Sequence, residues 1–242
     1  MINYKKYYLN GNKFTFQFKF SLESVWNNYL YKLSIKQYKK MKAEEICEAL
    51  GIDQSKILNI YPYGSRVYGT AKEWSDYDYV IVFKSTLPSG AFKDNAISSK
   101  NKMIQGTCYS RAGFIDALNN YQISALECFF LPEDKIIQKK MNFYLKPLDK
   151  RALVKNIIAT ASSCWHNAIL SHQNDNEEFA KKNVYHAIRI LHFGLQILRD
   201  GKITNYGRMN DFKGEVYGDK DFHVKTYFNK FLTLSDKLKG LQ

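Results

Sequence analysis

Four cysteines, Cys47, Cys108, Cys128 and Cys164, are spread over 242 residues, with no C-x-x-C pair and no histidine at ligand spacing. That scarcity excludes a disulfide framework and a zinc site, and it fits a reducing, cytoplasmic setting. Long apolar runs are missing as well. The longest, Tyr79 to Phe83, falls far short of the roughly 20 residues that cross a bilayer, and Lys5, Lys6 and Lys13 near the start are followed by no apolar core. Neither a membrane span nor a signal peptide is expected. Repeats and low-complexity segments are absent too. Acidic residues are in deficit: 23 Asp plus Glu face 36 Lys plus Arg, a net charge of +13. The excess favours a polyanionic partner and leaves nucleic acid, nucleotides and anionic surfaces open. Apolar residues make up 45% of the chain, enough to build a core and to exclude disorder as its main state.

Two organisational patterns follow one another. Tyr4–Leu9 and Lys13–Phe20 flank Asn10-Gly11-Asn12, and the second run alternates Phe14, Phe16, Phe18 and Phe20 with polar residues, predicting a β-hairpin. One or two helices are expected over Ser21–Leu50, stopped by Gly51. Strands are expected at Ile57–Tyr63, Asp78–Phe83, Met103–Tyr109 and Ser124–Leu131, with a polar loop around Pro88-Ser89-Gly90 and Lys93–Lys102 and a helix over Arg111–Asn120. After Pro147 strand signals vanish. Long helices are predicted over Lys150–His172 and Glu177–Arg199, then a glycine-punctuated stretch from Lys202 to Asp221, then a last helix within Phe222–Leu241. The chain therefore reads as α+β, a small mixed sheet with helices over residues 1–147 followed by an all-helical lobe over 148–242.

Chemistry concentrates in one stretch. Gly64-Ser65 ends one strand, ten residues intervene, and Asp76-Tyr-Asp78 opens the next. Gly64 permits a tight turn, and Ser65 starts a short helix whose unpaired N–H groups suit a phosphate. Asp76 and Asp78 share a face of the strand because side chains alternate. Two carboxylates opposite a phosphate cradle suit a Mg²⁺-bridged triphosphate. On the helix over 177–199, Val184, Ile188, Leu191, Leu195 and Leu198 recur at steps of four and three and define a buried stripe. Lys182, His186 and Arg189 form a column on another face, either a solvated, ion-paired surface or a set of cations facing a ligand.

The stretch Tyr63-Gly-Ser-Arg66-Val-Tyr-Gly-Thr-Ala with Ser75-Asp-Tyr-Asp78 resembles the signature of the DNA polymerase β-like nucleotidyltransferase superfamily, in particular a branch that includes RNA-repair-associated members. Ala125–Pro132 and Lys182–Arg189 are similar to that branch too. The resemblance implies a polymerase β-like palm and transfer of a nucleoside monophosphate from an NTP, most simply ATP, to a hydroxyl with two Mg²⁺ or Mn²⁺ ions. It implies that Gly64 and Ser65, with Arg66 beside them, hold phosphates, that Asp76 and Asp78 bind metal, and that Lys182 or Arg189, with His186 between them, contacts the nucleotide. It also implies a third carboxylate from a neighbouring strand. Met103–Tyr109 contains no acid, so Glu127, on the expected strand 124–131, is the candidate, with Asp116 as the fallback. Net charge favours an RNA acceptor over a small molecule or a protein side chain. A non-catalytic nucleic-acid-binding module on the same fold is the competing reading.

Overall fold

The computed structural model describes residues 6–9, 12–15, 41–85 and 96–242. The chain divides into two compact units, 1–38 and 39–242. In the first, β1 (Lys6–Leu9) pairs antiparallel with β2 (Asn12–Thr15); the expected hairpin is present, but Asn12, expected in the turn, is in the strand opposite Leu9. Helix expected from 21 to 40 and the loop residues 86–95 lie outside the described residues.

The second unit begins with α1 (Ala43–Leu50), whose Ile46, Cys47 and Leu50 are buried and whose end is Gly51 in the left-handed conformation. It packs on one face of a five-stranded sheet built from β3 (Ile57–Tyr63), β4 (Tyr77–Phe83), β5 (Ala96–Ser98), β6 (Ile104–Ser110) and β7 (Gln138–Lys139). Strand order is β5-β6-β4-β3-β7, with β4 and β6 parallel and every other pair antiparallel. Between β3 and β4 stands the one-turn helix α2 (Ser65–Tyr68).

Alternation along β4 sorts the two faces. Tyr79, Ile81 and Phe83 join Ile46, Leu50, Ile57, Ile60 and Cys108 in a core against α1. Val80 and Asp78 point the other way, paired across the ladder with Tyr61 and Tyr63. On that face Tyr61 stacks on Phe114 of α3 (Arg111–Asn119) at 5.8 Å. The central strands are thus covered on both sides, which is why Tyr79–Phe83 reads as an unbroken apolar run.

The run at 124–131 is not a strand. It forms α4 (Ile123–Phe129), entered through Tyr121 at φ 53°. A short continuous apolar stretch has no period to distinguish strand from buried helix, and here Ile123, Leu126 and Glu127 fall on one inward face.

From Asp149 the chain is helical: α5 (Lys150–Gln173), α6 (Glu177–Asp200), α7 (Asn210–Gly218) and α8 (Phe228–Lys239). Asp149 and Asn176 cap α5 and α6 by accepting from Ala152 and Phe179 N–H groups. The two long helices approach closely at Gly194, where a Cβ would meet Ile157 Cγ2 at 2.8 Å. Of the expected stripe, Val184, Ile188, Leu191 and Leu195 are buried and Leu198 is half-buried, while Ala187, Ile190, Phe193 and Ile197 are buried too, because α6 is wrapped on several sides. Helix α7 lies inside the stretch expected to be merely glycine-punctuated. The sheet and these helices belong to one compact unit, 39–242.

Candidate active site

Gly64 sits at φ 74°, ψ −153°, between β3 and α2. The angle alone favours glycine, and a Cβ there would run into the Asp78 carboxylate, with Cγ at 3.1 Å. The β3–α2 turn and the β4 carboxylate are therefore fitted against each other. Asp76 stands one residue before β4 and Asp78 within it, and both line the same cleft. Burial, then Asp76 beside it, push the Asp78 carboxyl up to about 6, while Lys182 and Arg66 pull the other way. Two crowded carboxylates of this kind carry negative charge that a divalent cation relieves.

Arg66 departs from its expected role. Its Nε donates to the Asp76 carbonyl at 3.0 Å, its Nη2 donates to the Ser75 carbonyl, and the guanidinium stacks 3.7 Å over the Tyr77 ring. Two of its donors go to the backbone that carries the two aspartates, which makes it a tether for them, and it is not among the residues that line the cleft.

Glu127 is displaced from the expected geometry by the helical course of its segment. Only 2% exposed, it accepts from Tyr68 Oη at 2.5 Å and from Tyr63 Oη at 3.4 Å, and its own carbonyl accepts from Tyr206 Oη at 2.6 Å. Burial raises its carboxyl, opposed by Arg189 and by the two tyrosines. Among the described residues no three His, Cys, Asp or Glu side chains gather as metal ligands, so Asp76 and Asp78 stand as a pair. The β6 residue opposite Asp78 is Gln105, whose Nε2 donates to Asp76 Oδ2 at 2.6 Å. Asp116 is exposed on α3.

The column on α6 does face the cleft. Arg189 is 3% exposed, stacks 3.7 Å over Tyr68, and has no acceptor for Nε or Nη1 among the described residues. Burial, with Arg189, Lys182 and Lys213 adding to it, pushes His186 well below the usual imidazole range, so the ring is neutral at physiological pH. Lys182 is exposed at the rim. Lys213, which sequence reasoning missed, joins them from α7; burial, then Lys72 and Arg189, lower its ammonium. Its signal was present in Phe212 and Val216, a buried i, i+4 pair that marks an amphipathic turn.

These groups line one cleft of about 630 Å³, which has Gly64, Ser65, Asp76 and Asp78 on the strand side and Lys182, His186, Arg189 and Lys213 on the helical side. A wall of carboxylates facing a wall of cations can bind a metal–polyphosphate complex across its width.

Residues 40–158 match the family model described as a nucleotidyltransferase domain. Over that segment the chain carries a nucleotidyltransferase domain that matches the polymerase β-like superfamily, and the match supports generic nucleotidyl transfer by a transferase. No curated protein matches the chain.

Proposed function

We propose that the cleft moves a nucleoside monophosphate from an NTP, ATP in the first instance, onto a hydroxyl of RNA. The observation that supports this most is the fit of Gly64 against the Asp78 carboxylate, which puts a phosphate-sized turn and a charged acid pair in contact. Gly64 and Ser65 receive the β and γ phosphates. Asp76 and Asp78 would hold Mg²⁺ or Mn²⁺, which would supply charge neutralisation at the phosphates and acidify the acceptor hydroxyl. Lys182, Lys213 and Arg189 take the remaining phosphate charge, and neutral His186 supplies one donor and one acceptor beside them.

The acceptor oxygen forms a bond to the α-phosphorus, and the bond from that phosphorus to the α–β bridging oxygen breaks. Pyrophosphate leaves with the electron pair, and the hydroxyl proton passes to water. Glu127 acts through others: it fixes the Tyr68 ring on which Arg189 rests. Residues up to 147 thus carry the reacting centre, and 148–242 the wall that holds the nucleotide. The charge of +13 supports an RNA acceptor over a small molecule or a protein side chain. No described helix is long and apolar enough to cross a membrane, and the four cysteines are free, in keeping with a reducing cytoplasm.

Incubation with each labelled NTP, Mg²⁺ and total RNA tests the proposal. Label in RNA with release of pyrophosphate, lost in Asp76→Asn, is the expected result. Label in a small molecule or a protein moves the acceptor. Label nowhere, with RNA binding intact in Asp76→Asn, makes the chain a non-catalytic binding module.

A further inference from the structure

Trp74 is 72% exposed, on the span that joins the two halves of the phosphate and acid motif. It is held there by a built turn. Ser75 N–H donates to the Lys72 carbonyl at 3.0 Å, Lys72 N–H donates to Ser75 Oγ at 2.8 Å, and Arg66 grips the Ser75 and Asp76 carbonyls from the other side. The turn offers a large aromatic face to water two residues before Asp76, with the Lys72 ammonium 5.4 Å from the ring centroid. Lys72 is close enough to Lys213 for the two charges to oppose each other, so positive charge runs from this turn into the cleft.

A ring this exposed keeps a large apolar face in water, which a stacking partner would cover favourably. A cation beside it selects a partner that carries flat rings and negative charge in alternation, which is the chemistry of single-stranded nucleic acid. We infer that the Lys72–Ser75 turn is the acceptor platform of the cleft, with Trp74 stacking on a base near the RNA end and Lys72 pairing with an adjoining phosphate. This rests on the nucleotidyl-transfer reading and adds to it the strand form of the acceptor and the side chains that seat it. Base stacking is indifferent to sequence, so the platform takes single-stranded ends of varied sequence and rejects duplex, whose bases have no free face to offer.

The test titrates the full chain with a short fluorescein-labelled single-stranded oligoribonucleotide and, separately, with Mg²⁺-ATP, over a range of salt. Trp74→Ala is expected to weaken oligoribonucleotide binding about tenfold with an unchanged salt slope, and Trp74→Phe to retain most of the affinity. Lys72→Ala is expected to lower the log–log salt slope by about 0.7, the share of one phosphate on a single strand. ATP affinity stays at the wild-type value in Trp74→Ala, and a duplex of the same sequence competes poorly. Undiminished oligoribonucleotide binding in Trp74→Ala, or an equal loss for ATP, overturns the platform and leaves the transfer reading standing. An oligoribonucleotide bound through Trp74 that never acquires label, while another compound does, overturns its acceptor role.

Discussion

The two walls of the cleft are made in different ways. The acidic wall comes from fifteen consecutive residues, Gly64 to Asp78, in which a turn, a helical turn and a strand start set every side chain by local geometry. The basic wall is assembled from α6 and α7, with Arg189 placed by burial against Tyr68, Tyr185 and Phe193 and Lys213 delivered from a separate helix. One wall is a motif and the other a product of packing. Substitutions in the first should therefore cost chemistry, and substitutions beneath the second should cost stability.

The largest expected effect tests the acidic wall. Asp76→Ala or Asp78→Ala should lower nucleotidyl transfer by roughly a thousandfold, in line with the several kcal/mol a metal ion contributes to a phosphoryl transition state. Both circular dichroism and melting should show a folded protein, because neither carboxylate fills the core. Wild-type turnover in either variant would remove the metal assignment.

Next comes Gly64→Ala. The left-handed φ and the collision with Asp78 act together, and about 1–3 kcal/mol of backbone strain is the expected cost in denaturant titration. Turnover should fall about a hundredfold, since the carboxylate must move to admit the methyl group. A stable, active variant would mean that the turn and the acid pair are not fitted to each other.

Glu127 probes the ground under the basic wall. Glu127→Ala leaves the Tyr63 and Tyr68 hydroxyls without their acceptor and Arg189 without its nearest opposing charge, so about 1–3 kcal/mol of stability should be lost. Glu127→Gln keeps an acceptor and should recover part of it, with the nucleotide KM rising more than kcat falls. Collapse of kcat at an unchanged melting temperature would return Glu127 to the reacting centre.

The smallest effect separates charge from chemistry. The Asp78 carboxyl stands at about 6 in the folded chain against an ordinary aspartate value of 3.8, so as pH rises from 4 the unfolded chain releases this proton first. The folded state is penalised progressively through that window and fully above it. Metal-free Asp78→Asn should therefore melt roughly a few degrees above wild type at pH 7.5, with the gain shrinking toward zero below pH 4. A uniform shift across pH would point to packing and not to charge.

How much was legible in the sequence follows the same division. The strands at 57–63, 77–83 and 104–110 and the long helices carry clear periods or turn signals, and the Gly64–Asp78 spacing places its side chains without knowledge of the rest. Helix α4 was misread because residues 124–131 are apolar almost throughout and offer no period. Gln105 was invisible as a site residue because only the parallel register of β4 and β6 brings it opposite Asp78. Lys213 was one lysine among many until α7 carried it to the cleft. Arg66 was expected at the phosphates through the resemblance, whereas two of its donors go to carbonyls nine and ten residues away.

That tether has a consequence for how such a protein can change. Because Arg66 clamps the backbone at Ser75 and Asp76, the acid pair takes its position from α2 and the sheet, and the residues between Thr70 and Trp74 are relieved of that duty. They form an interchangeable cassette, bounded by fixed points, on which lineages or protein engineers can rewrite what the cleft welcomes without disturbing the groups that react.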